Sequence, residues 1–351
     1  MRSFPKFDLA TAQRAQARQA VLTKPAGSLG QLEQIAIQLA GFQGSDTPAG
    51  GPAAAILFAA DHPVTAHGVS AYPAEVTAAM VQNFVTGGAA ASVLCRKLDI
   101  PLRVVDVGVA HPYDVSRANG EVTFRRADVA SLGAGDIRTE DAMTQEVFES
   151  ALAAGAREVD ELPGDTRVLV LGEMGIGNTT VAAAIACALL RCDASDIVGA
   201  GTGIAGATLR NKIAVVRDAS ARANGHAPRE IVRITGGREI AALIGAAERA
   251  LERRIAVLVD GFIVTSAMLA LVRMNEDARH GLLFAHRSHE RGHARLLHAL
   301  DAHPLLDLSM RLGEGSGALA ALPLVDLACT LHNEMATFAN ADVPGPVRGA
   351  G

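Results

Sequence analysis

Two acidic side chains lie in glycine-rich segments of this sequence, and the first of them is Glu314. It lies between Gly313 and Gly315, just before a long apolar helical pattern. Flanking glycines let a ligand approach the backbone closely, and a nearby helix start favours an ionised carboxylate. An ionised carboxylate can accept a proton, so we interpret Glu314 as a candidate general base. The competing interpretation is a solvated Glu in a surface turn.

The second carboxylate, Glu173, lies in residues 172–180, which read GEMGIGNTT. Glycines can turn backbone N–H groups toward an anion, and Asn or Thr can cap the next helix, whose positive end favours phosphate. The segment lacks the Gly-Lys-Ser/Thr ending of a P-loop and does not match G-x-G-x-x-G. We predict a phosphate or ribose site of another type here, in preference to a purely structural turn.

A further glycine-rich turn, residues 199–203, precedes a helical pattern that carries Asn211 and Lys212. The Lys212 ammonium can supply the countercharge that a phosphate needs. Glycine turns are also common where a chain is merely flexible, and a lone helical Lys is often solvated. Both interpretations stay open for this segment.

Residues 289–293 match H-E-x-x-H, the pattern in which two His on one helical turn bind zinc and the Glu acts as base. Gly292 weakens a helix between His289 and His293, and the third His of the extended pattern is absent. We therefore favour a pocket rim or a solvated helix face and predict no metal. A zinc hydrolase remains the alternative, which metal analysis and chelator treatment would test.

The composition favours small-molecule chemistry. The chain has 351 residues and a formal net charge of -5, whereas nucleic-acid binders usually carry a basic face. The four cysteines form no C-x-x-C pair, and the first 20 residues lack the apolar stretch of a signal peptide. The longest apolar run, residues 181–190, is about half of the roughly 20 residues that a membrane crossing needs. We expect a cytoplasmic protein without a membrane or nucleic-acid partner.

Short apolar runs alternate with glycine-containing turns and longer helical patterns, which indicates a parallel sheet covered by helices on both faces. The predicted strands are residues 53–61, 102–109, 167–175, 255–262 and 281–288. Ligands bind outside the carboxyl ends of such strands. The polar residues found there are Asp61, His62, Asp106, Glu173, Asp260, His286, Arg287 and Ser288.

The two ends of the chain differ from the middle. Residues 9–22 and 32–42 show amphipathic helical patterns, and residues 318–338 predict one long helix that Pro323 can kink. We expect residues 1–45 and 316–343 to pack together as a small helical domain. The predicted large α/β domain then comprises residues 46–315, and residues 344–351 are expected to be a disordered tail.

At these motifs the chain resembles the nicotinate-nucleotide:dimethylbenzimidazole phosphoribosyltransferase family, which makes the lower-ligand nucleotide of cobalamin. The resemblance extends over nearly the whole chain. It is carried by six motifs in order, in residues 24–33, 60–62, 68–77, 172–180, 260–262 and 311–317. It implies a Rossmann-like, mostly parallel open sheet with a small helical domain built from both termini, and it suggests a homodimer.

The resemblance also implies roles for individual residues. Glu314 becomes the general base, and Glu173 orients the aromatic base or stabilises positive charge on the ribose. The phosphate and ribose site is expected to comprise Gly175, Gly177, Asn178, Thr179, Thr180, Gly201, Thr202, Gly203, Lys212, Asp260, Gly261, Ser288, Gly313 and Gly315. The pocket for the benzimidazole-type base is expected to include Tyr72, Met80 and Met174.

The implied reaction moves the phosphoribosyl group of nicotinate mononucleotide onto 5,6-dimethylbenzimidazole and needs no cofactor. A non-catalytic nucleotide-binding protein of the same fold is a second alternative, which loss of Glu314 would have favoured. Two positions depart from the family pattern: Pro63 replaces a common Gly, and Arg238 replaces a common aromatic residue. The range of accepted bases is therefore less defined by the resemblance than the reaction type.

Overall fold

The computed structural model describes residues 4–201 and 203–345. Within them lies one six-stranded sheet in the order β3-β2-β1-β4-β5-β6, in which every neighbouring pair is parallel. The strands are β1 (Ala53–Ala60), β2 (Leu102–Gly108), β3 (Val122–Arg126), β4 (Val168–Met174), β5 (Ala256–Val259) and β6 (Leu282–Phe284).

The helices connect these strands and surround the sheet. They are α1 (Leu9–Val21), α2 (Gln31–Gln43), α3 (Val76–Val85), α4 (Ala90–Leu98), α5 (Gln145–Asp160), α6 (Asn178–Leu190), α7 (Ala194–Ile197), α8 (Gly206–Ala223), α9 (Pro228–Thr235), α10 (Arg238–Glu252), α11 (Phe262–Met274), α12 (His293–Ala299) and α13 (Ser316–Glu334). Short 3₁₀ helices span Pro63–His67, Asp128–Ser131 and Glu276–Gly281.

The five predicted strands are confirmed, although most are shorter than expected. In β1, every residue from Ala54 to Ala60 is buried. Successive side chains of a strand point to opposite faces, so helices cover both faces of the sheet at β1, as predicted. The prediction missed β3, because this edge strand is half exposed and contains Thr123, Arg125 and Arg126 instead of an apolar run.

Helices from both chain ends contact each other, as expected. The Arg18 guanidinium of α1 donates to the carbonyls of His332 and Asn333 at the end of α13. The buried side chains of Gln19 and His332 lie 2.9 Å apart. Pro323 lies inside α13. The division into two domains stays a prediction, and most of the expected disordered tail, residues 346–351, lies outside the described residues.

One stretch, Val76–Leu98, is apolar and long enough to cross a membrane by composition alone. Half of its most apolar window is buried inside the protein, and residues 86–89 divide it into α3 and α4. Both helices pack against the sheet. A buried helix pair of a folded core has the same composition, so the stretch is weak evidence for a membrane span.

The strand order places a switch point between β1 and β4. From β1 the chain continues outward through β2 and β3, whereas β4, β5 and β6 extend the sheet on the other side. Loops leave a parallel sheet in opposite directions at such a point, which opens a crevice at the carboxyl ends of the two strands. Asp61 and His62 follow β1 there, and the turn that begins at Gly175 follows β4.

Candidate active site

A cavity of about 680 Å³ opens at the carboxyl ends of β4, β5 and β6. The segments that line it come from the loops that follow these strands, from α3 and from the loop before α13. Fourteen predicted site residues lie on its wall: Tyr72, Met80, Glu173, Met174, Gly175, Gly177, Asn178, Thr179, Gly201, Asp260, Gly261, Ser288, Gly313 and Glu314. The structure thus brings together most of the residues that the sequence singled out.

The remaining predicted residues lie behind the wall or outside it. Thr180 is fully buried in α6, and Lys212 lies directly behind Thr179. Gly315 packs on β4 beneath the loop, and Gly203 is exposed and does not border the cavity. Thr202 lies outside the described residues.

The loop before α13 has an unusual backbone. Gly313, Glu314 and Gly315 have φ angles of 86°, 64° and 76°. Glycine adopts this left-handed region easily, whereas a Glu there is strained, and such strain concentrates at functional sites. A Cβ atom at Gly172 of β4 would lie 2.6 Å from the Glu314 carbonyl oxygen. The glycine of β4 therefore allows this loop to lie directly on the strand and fixes Glu314 at the cavity wall.

The Glu314 carboxyl group is 7% exposed and lies at the start of α4, where the Ala91 N–H donates to it. Its Oε2 atom is buried and has no hydrogen-bond partner in the part of the chain that the structure describes. Burial raises the pKa of Glu314, the charge of Asp260 raises it further, and the Ala91 hydrogen bond opposes both. A carboxyl group with a raised pKa is a stronger base than an ordinary one.

This arrangement corrects one expectation. The sequence predicted that the start of α13 keeps Glu314 ionised. In the structure, the carboxyl group that accepts a hydrogen bond from this helix start is that of Asp260, whose Oδ1 accepts from the Ala318 N–H at 2.9 Å. Glu314 lies instead at the start of α4, which has no side-chain cap of its own. The rise of the Glu314 pKa comes from burial in the protein itself, and a bound aromatic base is not needed to produce it.

Glu173 lies beside this loop and is 3% exposed. The Asn178 amide donates to its carboxyl group, and a Cβ atom at Gly313 would lie 2.6 Å from its Oε1 atom. Burial raises the pKa of Glu173 well above its ordinary value, and the charges of Asp260, Glu239 and Glu314 add to the rise. The protonated form of Glu173 is therefore favoured, and this form can donate a hydrogen bond.

The part of the cavity wall at the start of α6 has the properties of an anion site. Helix α6 starts here without a side-chain cap, and Gly177 before it has a φ of 96°. The Lys212 Nζ atom donates to Thr179 Oγ1 at 2.8 Å and lies close to Gly201. Burial lowers the pKa of Lys212 to about 8, opposed by the charge of Glu290. A buried ammonium beside a free helix start matches the needs of a phosphate.

Besides the acidic residues and the anion site, the cavity wall has an apolar part near Tyr72. Tyr72 lies at the rim and is 55% exposed. Sequence reasoning placed Tyr72, Met80 and Met174 here but missed much of the wall. The wall residues that were not assigned to the site are Val69, Ser70, Val76, Phe262, Ile263, Arg311 and Leu312. Ile176 lay in the predicted phosphate turn, Glu290 lay in the segment interpreted as a pocket rim or solvated helix face, and His286 was recognised only as a strand-end residue. Most of the unassigned residues carry no polar group that a sequence motif would reveal.

Comparisons with known proteins agree with this geometry. A family model described as phosphoribosyltransferase matches residues 4–343. A nicotinate-nucleotide–dimethylbenzimidazole phosphoribosyltransferase from Bradyrhizobium sp. strain BTAi1 is 51% identical over 340 residues, which cover 95% of this chain and 94% of that protein. The chain belongs to the nicotinate-nucleotide–dimethylbenzimidazole phosphoribosyltransferase family.

Other members show the same agreement. The enzyme of that name from Xanthomonas oryzae pv. oryzae strain PXO99A is 51% identical over 332 residues, covering 94% of this chain and 93% of the relative. The crystal structure of the enzyme from Thermus thermophilus superposes with a TM-score of 0.88 at 38% identity, covering 97% of this chain and 100% of that one. The resemblance, the fold class and the phosphoribosyltransferase activity predicted from the sequence are confirmed.

The H-E-x-x-H segment has no zinc-binding geometry in this member of the phosphoribosyltransferase family. His293 begins α12, whereas His289 precedes the helix, so the two do not share a helical turn. Both ring nitrogens of the buried His293 have protein partners, Thr265 Oγ1 at 3.0 Å and the Ser288 N–H at 2.8 Å. Burial lowers the His293 pKa to about 3. Glu290 borders the main cavity instead.

The two departures from the phosphoribosyltransferase pattern lie together, away from the main cavity. Pro63 and Arg238 line a second cavity of about 360 Å³ at the carboxyl ends of β1 and β2. The Arg238 guanidinium is buried and donates to the Gly108 and Leu132 carbonyls. A Cβ atom at Gly108 would overlap this guanidinium. Neither departure therefore changes a residue on the wall of the main cavity.

Proposed function

We propose that the enzyme transfers the 5-phosphoribosyl group of nicotinate mononucleotide to 5,6-dimethylbenzimidazole in the main cavity. The products are alpha-ribazole 5'-phosphate and nicotinate. The names of the relatives include both substrates, a nicotinate nucleotide and dimethylbenzimidazole. The main support for the proposal is Glu314, a buried carboxyl group on the wall of a cavity that also contains a site suited to a phosphate. Its Oε2 atom has no hydrogen-bond partner among the described residues.

The phosphate of the nucleotide fits the start of α6 and Lys212. Uncapped N–H groups of a helix start and a buried ammonium together provide donors and positive charge for one phosphate. Burial of Lys212 is costly when Thr179 is its only hydrogen-bond partner among the described residues, and a bound phosphate relieves that cost. Binding energy gained at the phosphate can align the ribose without involving the reacting carbon.

The apolar wall near Met80 and Met174 takes the benzimidazole. One ring nitrogen attacks C1 of the ribose while the bond from C1 to the nicotinate nitrogen breaks, and nicotinate leaves from the opposite face. The configuration at C1 changes from β to α. As the new bond forms, the remaining N–H of the base becomes acidic, and Glu314 accepts that proton within about 3 Å.

Glu173 has a different role in this proposal. Its raised pKa favours the protonated carboxyl group, which can donate a hydrogen bond but is a poor base. A neutral Glu173 also stabilises developing positive charge on the ribose less than a carboxylate does. We therefore assign to Glu173 the orientation of the aromatic base, the first of the two roles considered from the sequence, and leave proton removal to Glu314.

The family resemblance extends the proposal to the setting of the enzyme. We propose a cytoplasmic homodimer that binds its two small-molecule substrates without a cofactor, metal, membrane or nucleic-acid partner. Light scattering after size-exclusion chromatography would measure a mass of twice 36.3 kDa for the dimer. A mass of one chain would remove the dimer from the proposal and leave the reaction in place.

The reaction is tested by incubating the protein with nicotinate mononucleotide and a panel of benzimidazoles, purines and phenolics, and measuring released nicotinate by chromatography. We expect release that depends on the acceptor and is strongest with a benzimidazole, together with an α-linked product. Nicotinate release without any acceptor would indicate a hydrolase. Binding of the nucleotide without release would support the alternative of a non-catalytic nucleotide-binding protein.

A further inference from the structure

The buried imidazole of His62 lies at the switch point of the sheet, directly behind the turn that follows β4. His62 comes two residues after β1 and its side chain is 4% exposed. A Cβ atom at Gly175 would lie 3.0 Å from His62 Nε2, and one at Gly237 would lie 2.4 Å from His62 Cε1. The ring is therefore held between the turn at Gly175 and the start of α10, where only glycines leave room for it.

Glu239 is the ionisable partner of this imidazole. Its side chain is completely buried, and its Oε1 atom lies 3.1 Å from His62 Nε2. The contact is an ion pair without hydrogen-bond geometry, because His62 Nε2 and both Glu239 oxygens have no hydrogen-bond partner among the described residues. A buried carboxyl group is costly to leave unpaired, so the imidazole and the carboxyl group depend on each other. Neither residue borders the main cavity, and Glu239 enters the mechanism above only as one of three charges that raise the Glu173 pKa.

The turn in front of His62 is held from a second direction. The Ile176 N–H donates to the buried hydroxyl of Thr77 in α3 at 3.1 Å. Gly177 also packs against this region, since a Cβ atom there would lie 3.4 Å from His62 Cβ. Residues 175–177 thus lie between Thr77 on one side and His62 on the other, and they lead directly into the uncapped start of α6.

We propose that His62 and Glu239 are positioning residues that hold residues 175–177 in the geometry needed to bind the ribose phosphate of the nucleotide substrate. This inference rests on the proposed function, because that function places the phosphate at this turn. Without the imidazole, the turn loses its support at Gly175 and Glu239 loses its partner. The loss affects the nucleotide, whose phosphate contacts the turn, and spares the aromatic base, which binds near Met80.

The test compares four variants by calorimetry with nicotinate mononucleotide and by steady-state kinetics. His62→Leu and Glu239→Leu should each weaken nucleotide binding at least about tenfold, since a displaced turn loses a charge-assisted hydrogen bond to the phosphate. Glu239→Gln should restore most of the affinity, because it keeps the size of the side chain and a polar oxygen beside the imidazole. The KM for the benzimidazole should stay within about twofold of the wild type, as expected for a contact spared by the change.

Coupling between the two residues gives a second readout. In the double variant His62→Leu/Glu239→Leu, the loss of nucleotide affinity should be clearly smaller than the product of the two single losses, because residues in contact are not additive. If the two losses of affinity multiply, His62 and Glu239 act independently, and the proposal that they act as a pair fails. If a Leu variant does not fold, His62→Gln replaces it with the same expected weakening, and unchanged affinity there would overturn the proposal.

His332→Leu is the matched control, because His332 is also a buried imidazole with one polar side-chain partner, Gln19, and lies outside the site. It should lower the melting temperature and leave nucleotide affinity unchanged. If His62→Leu behaves in the same way as this control, His62 is merely structural and the proposal fails. Calorimetry keeps the inference separate from the proposed function, which fails instead if the wild type binds the nucleotide but releases no nicotinate.

Discussion

Replacing Glu314 with Gln removes the proposed base while preserving the size and most contacts of the side chain. The amide can keep its oxygen toward the Ala91 N–H and present its nitrogen to the cavity, where Oε2 has no partner now. The left-handed backbone at this position, with a φ of 64°, tolerates Gln no worse than Glu. The variant therefore tests proton transfer with little change in folding.

The expected loss of kcat follows from the surroundings of Glu314. General base catalysis contributes about 10² to 10⁴ in rate, equivalent to roughly 2.7–5.4 kcal/mol. The neighbouring carboxyl groups cannot easily take over. Glu173 favours its protonated form, and Asp260 is committed to the Ala318 N–H at the start of α13. We therefore expect the upper half of this range, about 10³ to 10⁴.

The assay is nicotinate release under saturating substrates across a range of pH. In the wild type, activity should rise with pH as Glu314 loses its proton, and its raised pKa places this rise above pH 4.5, the ordinary value for Glu. The Gln variant should show low activity without this rise. Affinity for nicotinate mononucleotide should stay within about threefold of the wild type, because the proposed phosphate contacts are made by the start of α6 and Lys212 and not by Glu314.

The control is Glu334→Gln, which makes the same chemical change at the exposed last residue of α13. It should leave kcat and affinity unchanged. A loss of less than tenfold in Glu314→Gln, with the acid side of the pH profile preserved, would show that another group removes the proton. An equal loss of nucleotide affinity would show instead that the variant disturbs the cavity as a whole.

The other predictions concern groups around the same cavity. Lys212→Ala should weaken the nucleotide about tenfold to a hundredfold, as expected for a charge-assisted hydrogen bond of roughly 1.5–3 kcal/mol, and spare the KM of the base. In the wild type, the KM for the nucleotide should rise above about pH 8, where Lys212 loses its charge. Asp260→Asn removes a charge that raises the Glu314 pKa but keeps an acceptor for the Ala318 N–H, so the acid side of the pH profile should move to lower pH. Gly172→Ala places a Cβ against the Glu314 carbonyl, so it should lower kcat more than nucleotide affinity and destabilise the fold by about 1–3 kcal/mol in a thermal melt.

Most of the sheet was predictable because its central strands are continuous apolar runs. Strands such as β1 and β4 are buried on both faces, and this burial leaves a plain sequence signal. The edge strand β3 was missed for the opposite reason. Its two arginines form ion pairs, Arg125 with Glu158 and Glu161 and Arg126 with Asp106, so polar side chains have structural partners that sequence periodicity does not reveal.

The polar part of the site was also predictable, because glycines and carboxylates at strand ends form recognisable motifs. The apolar wall was not, since residues such as Val76 and Phe262 look the same on a cavity wall as in the core. The support from His62 and Glu239 was hidden as well. Their contact joins positions 177 residues apart, and only the packing around Gly175 and Gly237 shows what the imidazole does.

The environment, and not the residue type, separates the roles of Glu314 and Glu173. Burial is the largest cause of the raised pKa in both groups, and one backbone hydrogen bond opposes it in each. Three charged carboxyl groups add to the rise of the Glu173 pKa, whereas one adds to that of Glu314. Glu314 is therefore the more acidic of the two and ionises first as the pH rises. When two neighbouring carboxyl groups lose their protons at different pH values, one can serve as a base while the other still donates a hydrogen bond. Below the pKa of Glu314 both are protonated and no base remains, so the acid side of the pH profile reports Glu314.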